Sequence, residues 1–265
     1  RQMCIRDRGM GEVVSARDEQ IGRAVAIKRL RSLDPTPEAV ARFLREAQIQ
    51  GRLEHPAIVP VHEVWRDDAG LPFFVMRQLS GVTLAEALGS QDLGIRRKFP
   101  LQRLLRTFTE VCLAIEFAHT RGVVHRDLKP ANVMIGEFGE VYVLDWGIAR
   151  VIADGADRNS FRDVDTLESG AETMEGTILG TPGYMSAEQI RAAPDLDGRA
   201  DVYALGCMLF EILAGEPLHP RGHAGLASAI ARIDARPSVR CPERETPPEL
   251  DAACVAATML DRADR

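Results

Sequence analysis

The sequence predicts an α+β chain in two parts, a β-rich part that extends to about Leu79 and a mainly helical part from about Ser80. Three observations predict this division. Residues from Glu12 to Ile27 alternate around a polar turn, as in a β-hairpin. Two long segments, residues 101–119 and 199–214, repeat apolar residues with helical spacing, and both lie after residue 80.

The first part has strand signals on either side of one helix. A short apolar run at residues 25–27 closes the predicted hairpin. Further strands are predicted at Ile58 to Val64 and at Pro72 to Met76. Between the hairpin and these strands, Thr36 as N-cap and Pro37 at the first helical position predict a helix start. The apolar face of that helix is supplied by Val40, Phe43, Leu44 and Ala47.

Two core helices are predicted in the second part, the first over residues 101–119. The second runs from about Arg199 to Ala214, with Gly215 placed as its C-terminal stop. Between these two helices, Val133 to Ile135 and Val141 to Leu144 predict a small hairpin. The stronger helical period consists of Leu101, Leu104, Leu105, Phe108, Cys112, Ile115 and His119.

Residues 154–176 differ in composition from both parts. They hold two arginines and hardly any core-forming residues, which predicts a long mobile loop. The seven acidic residues of this segment are Asp154, Asp157, Asp163, Asp165, Glu168, Glu172 and Glu175.

Composition excludes several classes of function. The 265 residues include 33 basic and 39 acidic side chains, and a net charge of −6 argues against a protein that binds nucleic acid through its phosphates. The longest apolar stretch, Ala204 to Phe210, is far shorter than the ~20 residues that cross a bilayer, so no membrane contact is expected within this segment. Five cysteines without a C-x-x-C pair predict neither a disulfide framework nor a zinc site and favour the reducing cytoplasm.

The two ends of the chain are unusual. Residues 1–8 (RQMCIRDR) contain three arginines and have no structural period, and they resemble translated adapter sequence, so we expect them not to be native. A short charged strand is the alternative. At the other end, a helical pattern through Leu250, Cys254, Ala257 and Leu260 leads to Arg265 without a cap, and we expect a fragment of a longer protein.

The most informative stretch is residues 125–132, with the sequence HRDLKPAN, between a core helix and a strand. Here the chain resembles the protein kinase superfamily, specifically the bacterial eukaryotic-like Ser/Thr kinases. The resemblance implies that Asp127 accepts the proton of the substrate hydroxyl, that Asn132 binds Mg²⁺ and that Lys129 steadies the γ-phosphate. It extends over nearly all residues from Gly9 to Arg265, so the expected domain is a kinase catalytic domain with an N-lobe at 1–79 and a C-lobe at 80–265.

Further motifs supply the other expected catalytic groups. Asp145 opens Asp-Trp-Gly where kinases carry D-F-G, which implies a second metal ligand. Lys28 ends Val-Ala-Ile-Lys, which implies that it holds the α- and β-phosphates of ATP, and Glu46 on the following helix is its implied partner. Gln50 stands where the family has an aliphatic residue of its hydrophobic spine. The other expected members of that spine are Val61, Trp146 and His125.

The expected glycine-rich loop is incomplete. Gly9, Gly11 and Val13 match the end of the family pattern, but Arg6 and Arg8 stand at the first two glycine positions. Since both arginines fall within residues 1–8, we attribute the mismatch to that segment and not to a lost function.

The resemblance also implies an adenine pocket and a substrate-docking segment. Residues 180–188 match the docking segment, with Ala187 in place of a proline, and Glu188 is expected to pair with Arg265. Asp201 is expected to anchor the catalytic loop, and Thr181 to bond Asp127 and Lys129. The expected lining of the adenine pocket comprises Val13, Ala26, Met76 and Met134, with the backbone of Arg77, Gln78 and Leu79 at the adenine edge.

These residues predict transfer of the γ-phosphoryl group of ATP, with Mg²⁺, to Ser or Thr of protein substrates, self-phosphorylation in trans included. An activating phosphate is expected at Thr173 or Thr177, where it would pair with Arg126. A pseudokinase that binds nucleotide without turnover is the alternative; Arg6, Arg8 and Gln50 favour it. A small-molecule phosphotransferase ranks third, because it would have no reason to keep residues 180–188.

Overall fold

A computed structural model gives the fold, and it describes residues 4–8, 11–152 and 179–265, with side chains from residue 11 onward. The N-terminal part is a five-stranded antiparallel sheet with one helix, α1 (Pro37–Arg52), packed against it. Along the sheet the strands follow the order β1-β2-β3-β5-β4. Their bounds are β1 (Cys4–Arg8), β2 (Gly11–Asp18), β3 (Arg23–Leu30), β4 (Val61–Arg66) and β5 (Pro72–Arg77).

The predicted hairpin and helix are confirmed. Strands β2 and β3 pair from Gly11↔Leu30 to Asp18↔Arg23. Helix α1 begins as predicted, since the Thr36 side chain accepts a hydrogen bond from the Ala39 N–H. Phe43 of α1 packs on Phe74 of β5 with ring centroids 5.2 Å apart. This contact fixes α1 on the sheet, and the helix thereby holds Glu46 at a defined place.

One strand boundary was predicted wrongly in this part, and residues 4–8 adopt the alternative conformation. The segment from Ile58 to Pro60 is not in β4, because Ile58 bridges Val143 in the C-terminal part and Ala57 accepts a hydrogen bond from the Val143 N–H. Residues 1–8 include strand β1, which pairs with β2 from Cys4 to Arg8. The short charged strand that was the alternative is therefore the conformation of this segment; its origin stays a prediction.

The C-terminal part is mainly helical. Its strands are β6 (Val82–Thr83), β7 (Val123–Val124), β8 (Val133–Ile135), β9 (Val141–Val143) and β10 (Arg150–Val151). They form two small sheets with the orders β6-β8-β9 and β10-β7. The predicted hairpin is β8 and β9, and the two predicted core helices are present at residues 101–120 and 199–214. The helices are α2 (Leu84–Gly89), α3 (Leu93–Lys98), α4 (Leu101–Thr120), α5 (Ala187–Ile190), α6 (Arg199–Ala214), α7 (His223–Ala229), α8 (Pro237–Arg240) and α9 (Pro248–Ala257), with 3₁₀ turns at Pro130–Asn132, Pro242–Arg244 and Arg262–Asp264.

Helix α6 is the centre of this part, because 13 of its 16 residues are buried. It ends at Gly215, which has the left-handed φ of 76° that the sequence predicts for a stop. Helix α9 packs on α6 at Gly206, where a Cβ would lie 2.7 Å from the Ala257 Cβ. Among the described residues, no helix is long and apolar enough to cross a membrane.

The final helical pattern stops earlier than predicted. Helix α9 ends at Ala257, and Leu260 lies beyond it. The Cys254 carbonyl accepts from both the N–H and the hydroxyl of Thr258, and the bond from the N–H is the last regular helical bond, whereas the Leu260 carbonyl accepts from Arg265 Nη2 at 3.3 Å. The chain then turns back toward α5. The acidic segment, residues 154–176, lies outside the described residues.

Candidate active site

The expected catalytic groups converge on Asp127. The Lys129 ammonium donates to Asp127 Oδ2 at 2.6 Å, and the Thr181 hydroxyl donates to Asp127 Oδ1 at 2.6 Å. Lys129 also donates to the Thr181 hydroxyl, so the predicted contacts of Thr181 are confirmed. Two strong donors therefore fix both carboxylate oxygens of Asp127.

Asn132 completes the loop around Asp127. Its side-chain NH₂ donates to the Asp127 carbonyl at 2.9 Å and lies 3.3 Å from Asp127 Oδ2. The 3₁₀ turn Pro130–Asn132 and strand β8 place it there, and it is 1% exposed. Since the NH₂ is used within the loop, the amide oxygen is the atom of this side chain that could ligate a metal.

Asp201 anchors the backbone of the catalytic loop, as predicted. Asp201 Oδ2 accepts from the His125 N–H and Asp201 Oδ1 from the Arg126 N–H, both at 2.8 Å. His119 contacts Oδ2 at 2.8 Å as well. Burial alone would raise the pKa of Asp201, but the hydrogen bond and charge of His119 outweigh it and hold that pKa below its usual range. The three bonds keep Arg126 at a φ of 71°, a conformation that non-glycine residues rarely adopt.

His125 links this loop to the Asp145 segment. Its Nδ1 accepts from the Asp127 N–H at 3.3 Å, so its Nε2 carries the proton and donates to the Leu144 carbonyl at 3.1 Å. The His125 ring lies 4.7 Å from the Trp146 ring, centroid to centroid. Two members of the expected spine are therefore in contact, and both are fully buried.

Lys28 and Glu46 form the expected ion pair between β3 and α1. Their side chains are 13% and 8% exposed. Burial raises the pKa of Glu46, and the positive charge of Lys28 opposes that effect. Gly11 lies next to this pair, because a Cβ on it would be 3.2 Å from Lys28 Cε. A glycine at that place leaves room for the lysine to pass under β2.

Asp145 faces the same pair. Its φ is 67°, and its carboxylate and that of Glu46 lie 3.3 and 3.2 Å from the position that a Cβ on Gly147 would take. Any side chain at Gly147 would crowd both carboxylates. The strained backbone and the glycine together set Asp145 beside Lys28 and Glu46.

Gln50 is buried and hydrogen-bonded. Its Nε2 donates to the Val59 carbonyl at 2.8 Å, and the residue is 5% exposed. A polar bond therefore joins α1 to the extended segment ahead of β4, at a position where the resemblance implies an apolar residue.

The expected adenine residues are adjacent in the structure. Ala26 pairs with Met76 across β3 and β5. Met134 packs in one apolar cluster with Met76 and Leu79. Gln78 accepts from the Ser15 hydroxyl at 3.1 Å, which joins the segment after β5 to β2. Val13 is half-buried opposite Lys28, whereas Gly9 lies outside the described residues.

The predicted pair of Glu188 and Arg265 is confirmed. Arg265 Nη1 and Nη2 donate to the two oxygens of Glu188 at 2.7 and 2.6 Å, a bidentate geometry. Burial of Glu188 works against ionisation, yet the Arg265 hydrogen bonds leave its pKa lowered overall. The docking segment therefore keeps its anchor although Ala187 replaces the proline.

Three contacts around this segment were missed from the sequence. The Tyr184 hydroxyl donates to the buried carboxylate of Glu211, which also binds Arg221 at 2.9 Å. Gln189 Nε2 donates to the Arg126 carbonyl at 2.7 Å. The Ser186-x-x-Gln189 capping box was a visible signal for the start of α5, whereas no local pattern indicates a contact between residues 27 positions apart.

Comparison with known proteins agrees with this geometry. The family profile described as "Protein kinase domain" matches residues 8–255. The chain belongs to the protein kinase domain family, whose members in general use ATP and a divalent metal.

Its relatives are named as bacterial Ser/Thr kinases. A probable serine/threonine-protein kinase of Streptomyces coelicolor is 37% identical over 259 residues, which is 96% of this chain and 35% of the relative. PknB of Mycolicibacterium smegmatis is 38% identical over 94% of this chain and 37% of the relative. PknD of Chlamydia caviae is 34% identical over 97% of this chain and 28% of the relative. The chain thus spans about a third of the length of these relatives.

Proposed function

We propose that this chain is an ATP-dependent Ser/Thr protein kinase domain that transfers the γ-phosphoryl group to protein hydroxyls. The observation that best supports the proposal is the arrangement of Lys129 and Thr181 on the two oxygens of Asp127. The domain comprises residues 1–265, with an N-lobe to residue 79 and a C-lobe from residue 80. Its acceptors are Ser and Thr side chains, and Lys129 is the residue that favours them over tyrosine.

Each group of the site has a role in the proposed reaction. Asp127 orients the acceptor hydroxyl and receives its proton, and Lys129 offsets negative charge at the reacting phosphate. Lys28, held by Glu46, binds the α- and β-phosphates. The adenine lies among Val13, Ala26, Met76 and Met134, with the backbone near Gln78 and Leu79 at its edge. Gly9 and Gly11 let the backbone approach the phosphates.

The residues fit Mg²⁺ bound together with a nucleotide. Asn132 and Asp145 supply two oxygen ligands, and in the described ranges no group of three or more His, Cys, Asp or Glu residues could hold a metal by itself. Mg²⁺ usually takes one or two carboxylates, with water and phosphate oxygens for the rest. When bound, the ion neutralises charge on the phosphates; Asn132 and Asp145 hold it.

The cytoplasm is the proposed compartment for this activity. It holds ATP and Mg²⁺, and the four cysteines whose side chains the structure describes form no disulfide. The proposal includes phosphorylation of one copy by another. The expected acceptors Thr173 and Thr177 lie outside the described residues, and mass spectrometry of the active protein would locate the phosphate.

Substitution of the proposed proton acceptor tests the reaction. Asp127→Asn is expected to leave the far-UV circular dichroism and the melting temperature unchanged, since the amide keeps the shape and one acceptor oxygen. Transfer of labelled phosphate from Mg-ATP to a Ser/Thr acceptor protein should fall about 10²- to 10⁴-fold, the size of a positioned acid-base contribution. Asp68→Asn, on an exposed turn, is the matched control and should retain full activity.

The same assay separates the kinase from the pseudokinase. A wild-type chain that binds ATP but transfers no phosphate to any Ser/Thr protein, itself included, would contradict the proposal and support the pseudokinase alternative.

A further inference from the structure

A cluster of basic side chains lies where α3 meets α4, on the C-terminal part. Residues 93–106 include five basic and no acidic residues, in a chain whose net charge is −6. We call this cluster the α3–α4 basic patch; its members are Arg96, Arg97, Lys98, Arg103 and Arg106.

The patch is built on a fixed corner of the fold. Phe99, between the two helices, is 5% exposed. The Arg103 guanidinium carbon lies 4.7 Å from the centroid of the Phe99 ring, and the Lys98 nitrogen lies 6.0 Å from it. Arg103 also donates to the Lys98 carbonyl at 3.2 Å. Two cations therefore lie within cation–π distance of one buried ring.

These charges have no acidic partner within the described part of the chain. The nearest acid before the patch, Asp92, uses its carboxylate as the N-cap of α3 and accepts from the Gly94 N–H at 2.7 Å. Helix dipoles explain only part of the patch. Cations in the last turn of α3 are favourable, but Arg103 stands in the first turn of α4, where a positive charge opposes the dipole and no acidic residue compensates for it.

Apolar side chains flank the patch. Leu93 is 68% exposed and Leu101 is 44% exposed. An acidic segment with apolar positions would complement both the cations and these two leucines.

The chain itself contains such a segment. Residues 154–176 carry seven acids against two arginines, together with apolar residues such as Leu167 and Met174. We propose that the α3–α4 basic patch of one copy docks the acidic segment 154–176 of a second copy, so that the hydroxyls of that copy reach the catalytic loop of the first. The inference rests on the proposed kinase activity.

The dimensions permit this arrangement. Helix α3 packs on α2, and α2 packs on the 3₁₀ turn Pro130–Asn132 beside Asp127. Two helix diameters of about 10 Å put the patch on the order of 20 Å from the catalytic loop. At about 3.3 Å per residue, residues 154–176 can span on the order of 70 Å, so acids at one end can dock while Thr173 or Thr177 reaches Asp127.

The first test measures binding and needs no catalysis. A fluorescent synthetic peptide of residues 154–176 is titrated with wild type, with Arg96→Glu/Arg97→Glu, and with Arg17→Glu/Arg232→Glu. The last variant makes the same change of net charge at two exposed sites away from the patch. The peptide should bind the patch variant at least about tenfold more weakly than the other two, and more weakly still at high salt. Equal binding to all three proteins would overturn the proposal.

The second test measures transfer between copies. The acceptor is the Asp127→Asn chain, and phosphate incorporation into it is followed with wild-type or patch-variant enzyme. Reversal of Arg96 and Arg97 on the enzyme copy should lower the rate about tenfold, whereas the same reversal on the acceptor copy should leave it within about twofold. The opposite dependence, or none, would overturn docking in trans.

Two controls separate this inference from its alternatives. A short neutral Ser/Thr peptide should be phosphorylated equally by wild type and patch variant. If wild type transfers phosphate to no Ser/Thr acceptor, the Asp127→Asn chain included, the proposed function fails and the binding test alone decides the docking. Vesicles with 30% phosphatidylserine test a membrane as the occupant. Vesicle binding that depends on Arg96 and Arg97, with no binding of the peptide, would overturn the proposal.

Discussion

At the scale of single residues, Trp146 shows what a departure from the family pattern does to packing. The ring is 1% exposed, and its Nε1–H has no hydrogen-bond partner among the described residues. An unpaired buried donor costs about 1–3 kcal/mol. The family's usual phenylalanine has no such donor. The larger tryptophan ring therefore stabilises the fold through more apolar contact, but the unpaired N–H offsets part of that stabilisation.

Substitution of Trp146 tests this balance. Trp146→Phe should change the free energy of unfolding by less than about 1 kcal/mol, because the lost contacts and the removed N–H offset each other. Trp146→Ala should cost about 3–5 kcal/mol, since it leaves a large cavity. Urea denaturation at constant m-value measures both. A loss above about 2 kcal/mol for Trp146→Phe would mean that Nε1–H is satisfied in solution.

At the scale of elements, the Glu188–Arg265 pair joins α5 to the turn that follows α9. Arg265 also donates to the Arg199 carbonyl at 2.9 Å and lies 5.3 Å from the Tyr203 ring. One side chain therefore connects α5, α6 and the last turn of the chain. Since the guanidinium is completely buried, its removal leaves a carboxylate without its partner.

A double-mutant cycle measures this link. Arg265→Met should cost about 3–5 kcal/mol in the free energy of unfolding, because Glu188 then remains buried and unpaired. Glu188→Gln/Arg265→Met should recover part of that loss, which gives a coupling energy above about 1 kcal/mol. If the losses of the single variants Glu188→Gln and Arg265→Met add up to the loss of the double variant, the two side chains do not stabilise the fold through their contact. Arg236→Met, which breaks an exposed ion pair with Asp234, is the control and should cost little.

The elements also show where sequence reasoning succeeded. Thr36, Pro37 and Gly215 mark helix ends by local chemistry, and these ends were predicted correctly. The bounds of β4 and α9 were not, because Ile58 pairs with a distant strand and the Leu260 carbonyl accepts a hydrogen bond from Arg265. Motif spacing correctly predicted that Asp127, Lys129 and Asn132 lie together. It could not predict the Glu211 cluster, which depends on where the loop after α6 returns.

At the scale of the whole molecule, a buried histidine predicts how stability depends on pH. The Tyr203 hydroxyl and the Ser228 hydroxyl contact the two ring nitrogens of His219 at 2.7 and 2.9 Å. Burial lowers its pKa to about 4, and Arg240 contributes in the same direction. In the unfolded chain the pKa is near 6.5. Between these values the unfolded state binds more protons, so stability is complete above about pH 6.5 and declines as the pH falls toward 4.

Unfolding measured at several pH values checks the sign. From pH 7 to pH 4.5 the wild type should lose on the order of 2 kcal/mol through His219. His219→Gln keeps a hydrogen-bonding side chain but does not titrate, and its pH dependence in this window should be flatter by that amount. Equal slopes for the two proteins would show that His219 takes up its proton while folded. Raised stability at low pH would contradict the sign.

The position of Asp201 in the sequence has a consequence for synthesis on the ribosome. The carboxylate that holds the Arg126 N–H lies 75 residues further along the chain. At 5–20 residues per second, translation takes roughly 4–15 s to pass from one to the other. Within that interval Lys28, Asp127 and Asp145 have all been added to the nascent chain, but the catalytic loop still has no anchor. The loop therefore reaches the arrangement described above only after the helix that begins at Arg199 has emerged and folded.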